Sequence, residues 1–257
     1  VLWDYFYKHS ESDNKSSTNR ETFLSDGTSF FRNSNSTSLN ESDSHDASID
    51  FEIEVDSTFR IDIETDVNKN LNTNVCKSES ETLNNNKTLT NNSKIGSIAD
   101  SDRESFDNEI NLTKKFGRKG SFLRVELTAN LRKTETDDFV KSETNIFGSN
   151  PGQIIRDQYS DGNSEVKVLG TEFTYRIPLK AKQLFLDVAY NVGNTNTKSK
   201  RSTFDFDTNT NEYSSFSNLL STDFEYSNKL NRPSVELEFR NKKWSASAEV
   251  AYNNRTL

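Results

Sequence analysis

Methionine is absent from this sequence, cysteine occurs once, and there are only three prolines and nine glycines in 257 residues. The single Cys76 cannot form an internal disulfide. With only His9 and His45 beside it, no zinc-ligand spacing is present along the chain. No run of about 18 apolar residues occurs, which excludes a transmembrane helix. Hydrophobic residues make up 31% of the chain and the mean hydropathy is -0.87, too little apolar surface by bulk rules to offset chain entropy. Nor is the charge of one sign: 40 acidic and 32 basic residues are interspersed, giving a net charge of -8. No basic patch recommends nucleic acid as a partner. Nucleophile motifs, phosphate-binding loops and paired catalytic carboxylates are missing too, so no enzyme is expected. Catalytic, cofactor-binding and metal-binding residues are therefore all expected to be none.

What is present is aromatic. There are 18 Phe, 8 Tyr and 2 Trp, and disordered tails rarely combine so many rings with so few prolines. The rings fall into an alternating pattern. Ala47, Ile49, Phe51, Ile53 and Val55 share one parity, with Ser48, Asp50, Glu52 and Glu54 on the other. The arrangement recurs at Leu123, Val125, Leu127, Ala129 and Leu131, and at Leu184, Leu186, Val188, Tyr190 and Val192. It appears again at Trp244, Ala246, Ala248, Val250 and Tyr252. Shorter versions lie at Phe59 to Ile63, Ile110 to Leu112, Phe173 to Ile177 and Val235 to Phe239. Such segments predict strands with one apolar and one strongly polar face.

Short turns join them in pairs, at Asp56-Ser57-Thr58, Gly117-Arg118-Lys119-Gly120, Pro178 to Lys182 and Asn241-Lys242-Lys243. Their centres recur about every 62 residues, a repeat of architecture rather than of sequence. Between them run long polar stretches, Ser78 to Ser105 and Ser149 to Glu165 among them, expected to be loops. The count predicts eight strands and the start of a ninth at Trp244.

Three features favour a membrane over a soluble sandwich. The stripe from Trp244 to Tyr252 extends roughly 26 Å at about 3.3 Å per residue. Tilted, it approaches the apolar band of about 25 Å on outer-membrane barrels. Phe59, Phe116, Phe239 and Trp244 gather beside the short turns, with Tyr190 and Tyr252 at the far ends, as an aromatic girdle requires. The opposite parity carries Asp50, Glu52, Glu54, Asp62, Glu64, Arg124, Glu126, Asp187, Glu236, Glu238 and Glu249. These could not pack between two sheets without heavy desolvation cost, but could line a wet lumen. An arginine at Val188 is expected to be excluded from lipid, and one at Asp187 to be tolerated.

The segments YFYKHSESDNKSSTNRETFLSDG, DFEIEVDSTFRI, LTKKFGRKGSFLRVELTANLR, FTYRIPLKAKQLFLDVAYNVGNTNTKSKRSTFDFD and VELEFRNKKWSASAEVAYN together resemble the outer-membrane β-barrel family of TonB-dependent receptor-like proteins. The resemblance runs over essentially the whole chain and rests on order and spacing rather than on any one motif. It implies an all-β fold, a transmembrane antiparallel outer-membrane β-barrel with short periplasmic turns and long extracellular loops. Residues 1–257 would form one segment of that barrel domain, with plug and regulatory-like domains outside it. The implied localisation is the cell outer membrane and the implied partner is outer-membrane lipid, with the TonB system or a surface lipoprotein engaged through the parent protein. The implied role is conduit and scaffold for substrate uptake. The alternatives are a structural or assembly subunit of an outer-membrane complex and a soluble β-rich adhesin. The resemblance names no ligand-binding residue.

Smaller signals have plain readings. Asp205, Asp207, Asn209, Asn211 and Glu212 superficially space oxygen ligands for calcium, but lack the glycine and distal Glu of an EF-hand loop. Ser25-Asp26-Gly27 and Ser160-Asp161-Gly162 read as turns. Triplets such as Asn35-Ser36-Thr37 and Asn111-Leu112-Thr113 are chance in so Asn- and Ser-rich a chain. His9 and His45 have no ligand or catalytic partner at any recognised spacing.

Overall fold

A computed structural model describes residues 1–117, 120–180 and 183–256. Eleven strand segments follow one another: β1 Leu2–Phe23, β2 Ser29–Asp56, β3 Phe59–Leu83, β4 Leu89–Phe116, β5 Ser121–Ile146, β6 Gly152–Lys180, β7 Leu184–Asp207, β8 Glu212–Phe216, β9 Thr222–Arg240, β10 Ser245–Ala251 and β11 Asn254–Thr256. They form one antiparallel sheet in the order β1-β2-β3-β4-β5-β6-β7-β9-β10, with β8 paired to β7 and β11 to β9. β1 and β10 lie at opposite ends of this order, so the sheet is open rather than closed.

The eleven segments occupy nine strand positions. β8 and β9 both lie along β7, one beyond the other, parted by residues 217–221. β10 and β11 likewise share β9 in a single register, Ala251 opposite Ser234 and Asn254 opposite Asn231. Their break faces Pro233, which has no N–H to give the ladder; only Tyr252 N donates there, to the Pro233 carbonyl at 3.0 Å. Eight strands and a ninth are thus present as the alternation predicts. The ninth begins at Ser245 rather than Trp244, which closes the preceding turn by accepting from Asn241 N at 2.8 Å.

The short turns after β2, β4 and β9 fall where expected, whereas Pro178 to Lys180 of the third belong to the end of β6. Gly117 and Gly120 both have positive φ, 64° and 92°, a conformation that disfavours any side chain with a Cβ. Arg118, Lys119, Ala181 and Lys182 lie outside the described residues. At the β2–β3 turn, Asp56 Oδ1 accepts from Thr58 N and Thr58 Oγ1, both at 2.6 Å, and from Phe59 N at 2.9 Å. The Asn241 side chain repeats the device at the last turn, accepting from Lys243 N and Trp244 N.

The long loops are not there. Ser78 to Ser105 is the end of β3, a tight turn and the beginning of β4; Ser149 to Glu165 is mostly β6. Ser160-Asp161-Gly162 is likewise strand, Gly162 facing Thr136 and Arg201, whereas Ser25-Asp26-Gly27 is the turn it resembles. The far-end links are five residues long at 24–28, 84–88 and 147–151. Leu24 N donates to Thr28 O at 2.8 Å, and Asn84 N to Thr88 O at 2.9 Å. Apart from a few aromatic positions these upper reaches are polar on both faces, so they carry little sustained hydrophobic alternation to announce a strand. Backbone pairing holds them, reinforced by cross-strand bonds such as Asn74 to Ser38 at 3.2 Å and Thr144 to Ser93 at 3.0 Å.

Among the described residues there is no helix, and Phe185 is the only buried apolar side chain, at 8% exposure. The sheet is a single layer with both faces open.

The Asp56 turn makes a testable case. Thr58 holds the Asp56 carboxyl down at about 2, first through its hydroxyl and then through its amide. A carboxyl held below its unfolded value stabilises fully above that value and loses the effect as pH falls through the folded one. Urea midpoints of the wild type and Asp56→Ala should therefore differ at pH 7 and converge toward pH 2. A difference that persists at pH 2 would show that the carboxylate is not what closes the turn.

Candidate functional site

The two faces of the sheet carry the chemistry, and register is what builds them. Ile53 lies opposite Ile61, Ile61 opposite Leu112, Leu112 opposite Val125 and Val125 opposite Phe173. The same row continues through Tyr190 to Pro233. The next row runs from Phe51 through Ile63, Ile110, Leu127, Thr171 and Val192 to Asn231. Closer to the short turns, Tyr175, Val188, Val235 and Val250 align, as do Ile177, Leu186, Leu237 and Ala248. Apart from Val55 at the bulge and Trp244 in its turn, the apolar parities read from the sequence therefore fall on one face. Large side chains there are open: Val188 is 42% exposed and Val250 79%.

On β3, β4 and β5 the apolar rows end at a charged row, whereas on β6, β7 and β9 Lys167, Asn194, Asn196 and Lys229 already stand below it. Lys69, Glu104, Lys133, Glu165, Lys198 and Glu225 form one row on the apolar face across six neighbouring strands, alternating in sign at every step. Lys69 Nζ lies 2.6 Å from Glu104 and 3.1 Å from Asp102, and Lys198 Nζ lies 3.1 Å from Glu225. Opposite charges facing one another across strands stabilise the pairing, where like charges would oppose it. From Leu123 to Leu131 the band below this row spans eight residue steps, roughly 26 Å of strand at about 3.3 Å per residue.

The other face is charged where the first is apolar. Glu52, Asp62, Asn111, Glu126, Glu172, Asn191 and Arg232 make one row. Arg60 bridges Glu52 at 3.2 Å and Asp62 at 2.7 Å, and Arg232 reaches Glu249 at 2.8 Å. Nearer the turns the face tightens around Arg176. Its guanidinium donates to both oxygens of Asp187, at 2.7 and 2.5 Å, and to Glu238 at 2.7 Å. It also stacks over Phe122 at 5.1 Å and Phe185 at 4.9 Å. Asp187 is only 8% exposed, which corrects the reading of this residue as a free solvated position. An arginine there would meet Arg176 instead of replacing a solvated group.

Phe122 and Phe185 escaped the sequence reading because each adjoins an apolar residue of the other parity, Leu123 and Leu184. A doublet that breaks alternation beside a turn is the signal that could have found them.

Beyond the charged row a second cluster covers the upper part of the apolar-parity face. Phe139 packs on Tyr159 at 4.8 Å and Tyr213 at 5.7 Å, and Phe204 packs on Phe216 at 5.5 Å. Tyr159 donates to Asp137 at 2.5 Å, and that bond, with burial, pushes its hydroxyl up to about 12. The calcium-like stretch gathers no site: Asp205 accepts from Gln158 at 2.7 Å, and Asp207 accepts from Asn209 within its own turn. His9 and His45, distant in sequence, instead meet on one face of β1 and β2. Tyr5 bonds His45 at 2.7 Å and Asp43 bonds His9 at 3.0 Å. No family model matches the chain, and no curated protein matches it.

The Arg176 cluster should be the most sensitive part of the charged face. Asp187→Ala leaves a half-buried guanidinium short of two bonds, at a cost of about 2 kcal/mol. Equilibrium urea unfolding of the chain refolded in detergent measures it. A loss no greater than that of Glu54→Ala, at the exposed end of the same face, would show that the cluster contributes nothing special.

Proposed function

We propose that this chain is part of a transmembrane outer-membrane β-barrel, with its apolar rows against lipid and its charged face lining an aqueous lumen. The observation that carries the reading is the uncovered apolar band, bounded above by the Lys/Glu row. Left in water, each large side chain on it forgoes about 1.5–3 kcal/mol of burial. Among the described residues nothing packs over the band, and a bilayer is a cover of suitable height. The strands satisfy their own backbone groups through the ladders, as hydrocarbon demands. The two outer edges, along β1 and along β10 with β11, require pairing with further strands for the same reason. The strand extensions above the band would rise from the outer surface.

Within that reading the barrel belongs to a TonB-dependent receptor-like protein and serves as conduit and scaffold for uptake. Support comes from the resemblance of the segments around the short turns and from the charged face, which suits a hydrated passage or a docked plug.

Two experiments test it. Leu127→Arg places a cation on the apolar face and Thr128→Arg places one beside Glu109 on the charged face. Lipid-face arginine at mid-membrane costs about 2–4 kcal/mol, so refolding into vesicles should fail or slow for Leu127→Arg alone. Equal yields would reverse or abolish the facing assignment.

Cysteines at Ser57, Lys180 and Lys242, in a Cys76→Ser background, should react with a membrane-impermeant maleimide only after the outer membrane is permeabilised. Cysteines at Asn86, Ser149 and Asn209, in the opposite set of turns, should react on intact cells. Asn92, which the loop expectation had placed among exposed loop sites, lies within β4 and is a poor probe. Mixed labelling within either set would overturn the membrane topology.

A further inference from the structure

The hairpin of β1 and β2 brings together what the sequence keeps more than thirty residues apart. His9 faces Asp43 and Glu11 faces Glu41 in consecutive same-face positions of the ladder. A ligand atom of His9, one of Glu41 and one of Asp43 all lie within 4.8 Å of one another. The block sits one step beyond the alternating Lys/Glu row, since Tyr7 and His45 extend that row onto β1 and β2.

The charge pattern here differs from that of the Lys/Glu row and resembles the opposed carboxylates of Asp100, Asp137 and Asp161 further along the same face. Along the row, carboxylates meet lysines. In the His9 block Glu11 and Glu41 oppose one another directly, an arrangement that is destabilising by itself. Neither makes an ion pair with a lysine or arginine among the described residues. A divalent cation bound at Glu41 would offset that repulsion. Asp43 is also held from behind: Tyr7 Oη donates to its Oδ1 at 2.6 Å, the kind of supporting bond that fixes a ligating carboxylate.

We propose that His9, Asp43 and Glu41 form a surface site for a divalent transition-metal ion of the zinc type. One imidazole nitrogen with carboxylate oxygens suits zinc, whereas magnesium and calcium prefer oxygen donors alone. Bound metal would pin β1, an edge strand exposed along nearly its whole length, to β2 just above the apolar band. The inference does not depend on the membrane reading, because the three residues share a face whatever covers the sheet below them.

Isothermal titration with zinc chloride tests it on the full chain carrying Cys76→Ser, which removes the only thiol. The expected result is one zinc ion per chain, with affinity lowered at least tenfold by His9→Ala and by Glu41→Gln. His45→Ala should leave affinity within about twofold, because that ring is bonded by Tyr5 and lies opposite Tyr7. Calcium chloride should bind at least tenfold more weakly than zinc. Far-UV circular dichroism confirms that each variant keeps its strand content. Zinc binding unchanged in both His9→Ala and Glu41→Gln, or absent from the parent, overturns the site. Calcium binding as tight as zinc overturns the assignment of metal class.

Discussion

Every property of this sheet depends on its strand register staying in step from one hairpin to the next. Side chains alternate with a period of two, so a slip of one residue would carry the apolar set of a strand to the opposite face. The ladders are continuous over most of their length. Their irregularities sit at strand ends, between Glu54 and Asp56, Thr82 and Leu83, Pro178 and Lys180, and Asp205 and Phe206. The bulges therefore adjust how a chain enters a turn and leave the facing of its long middle unchanged. Asx-type turns at Asp56 and Asn241 and the left-handed glycines at 117 and 120 do local work that keeps the register fixed.

Register in step divides each long strand into two regimes. Near the short turns, one face is apolar and the other charged. Above the Lys/Glu row, outside the aromatic cluster, both faces are mostly polar, and the strands continue on backbone hydrogen bonds with Asn, Ser and Thr side chains bridging between them. Of these, Asn has low intrinsic strand preference, which tertiary pairing overrides. The aromatic cluster of Phe139, Tyr159, Phe204 and Tyr213 supplies the upper region with the one patch of packing that polar ladders lack.

The charged face is ordered by the same alignment. Arg176 could be placed on it from the sequence by alternation alone, but its partners could not. Asp187 comes from the strand after the turn and Glu238 from one strand further, and Phe122 and Phe185 close over its plane. Coming from four strands, these groups meet because neighbouring ladders bring their turn-proximal ends to one level.

Alternation by itself determined which residues share a face near the short turns, where those turns lie, and that eight strands and a ninth follow. It could do so because an apolar side opposite a charged side imposes a pattern of period two that survives in a single sequence. The upper strand extensions were illegible for the complementary reason: with both faces polar, strand and loop have the same composition. Only the tertiary structure decided that Ser78 to Ser105 is a hairpin, that Asp187 is enclosed by Arg176, and that His9 and Asp43 are opposite one another. Those outcomes depend on which residue of one strand stands beside which residue of the next, a quantity fixed by hydrogen-bond register across the sheet.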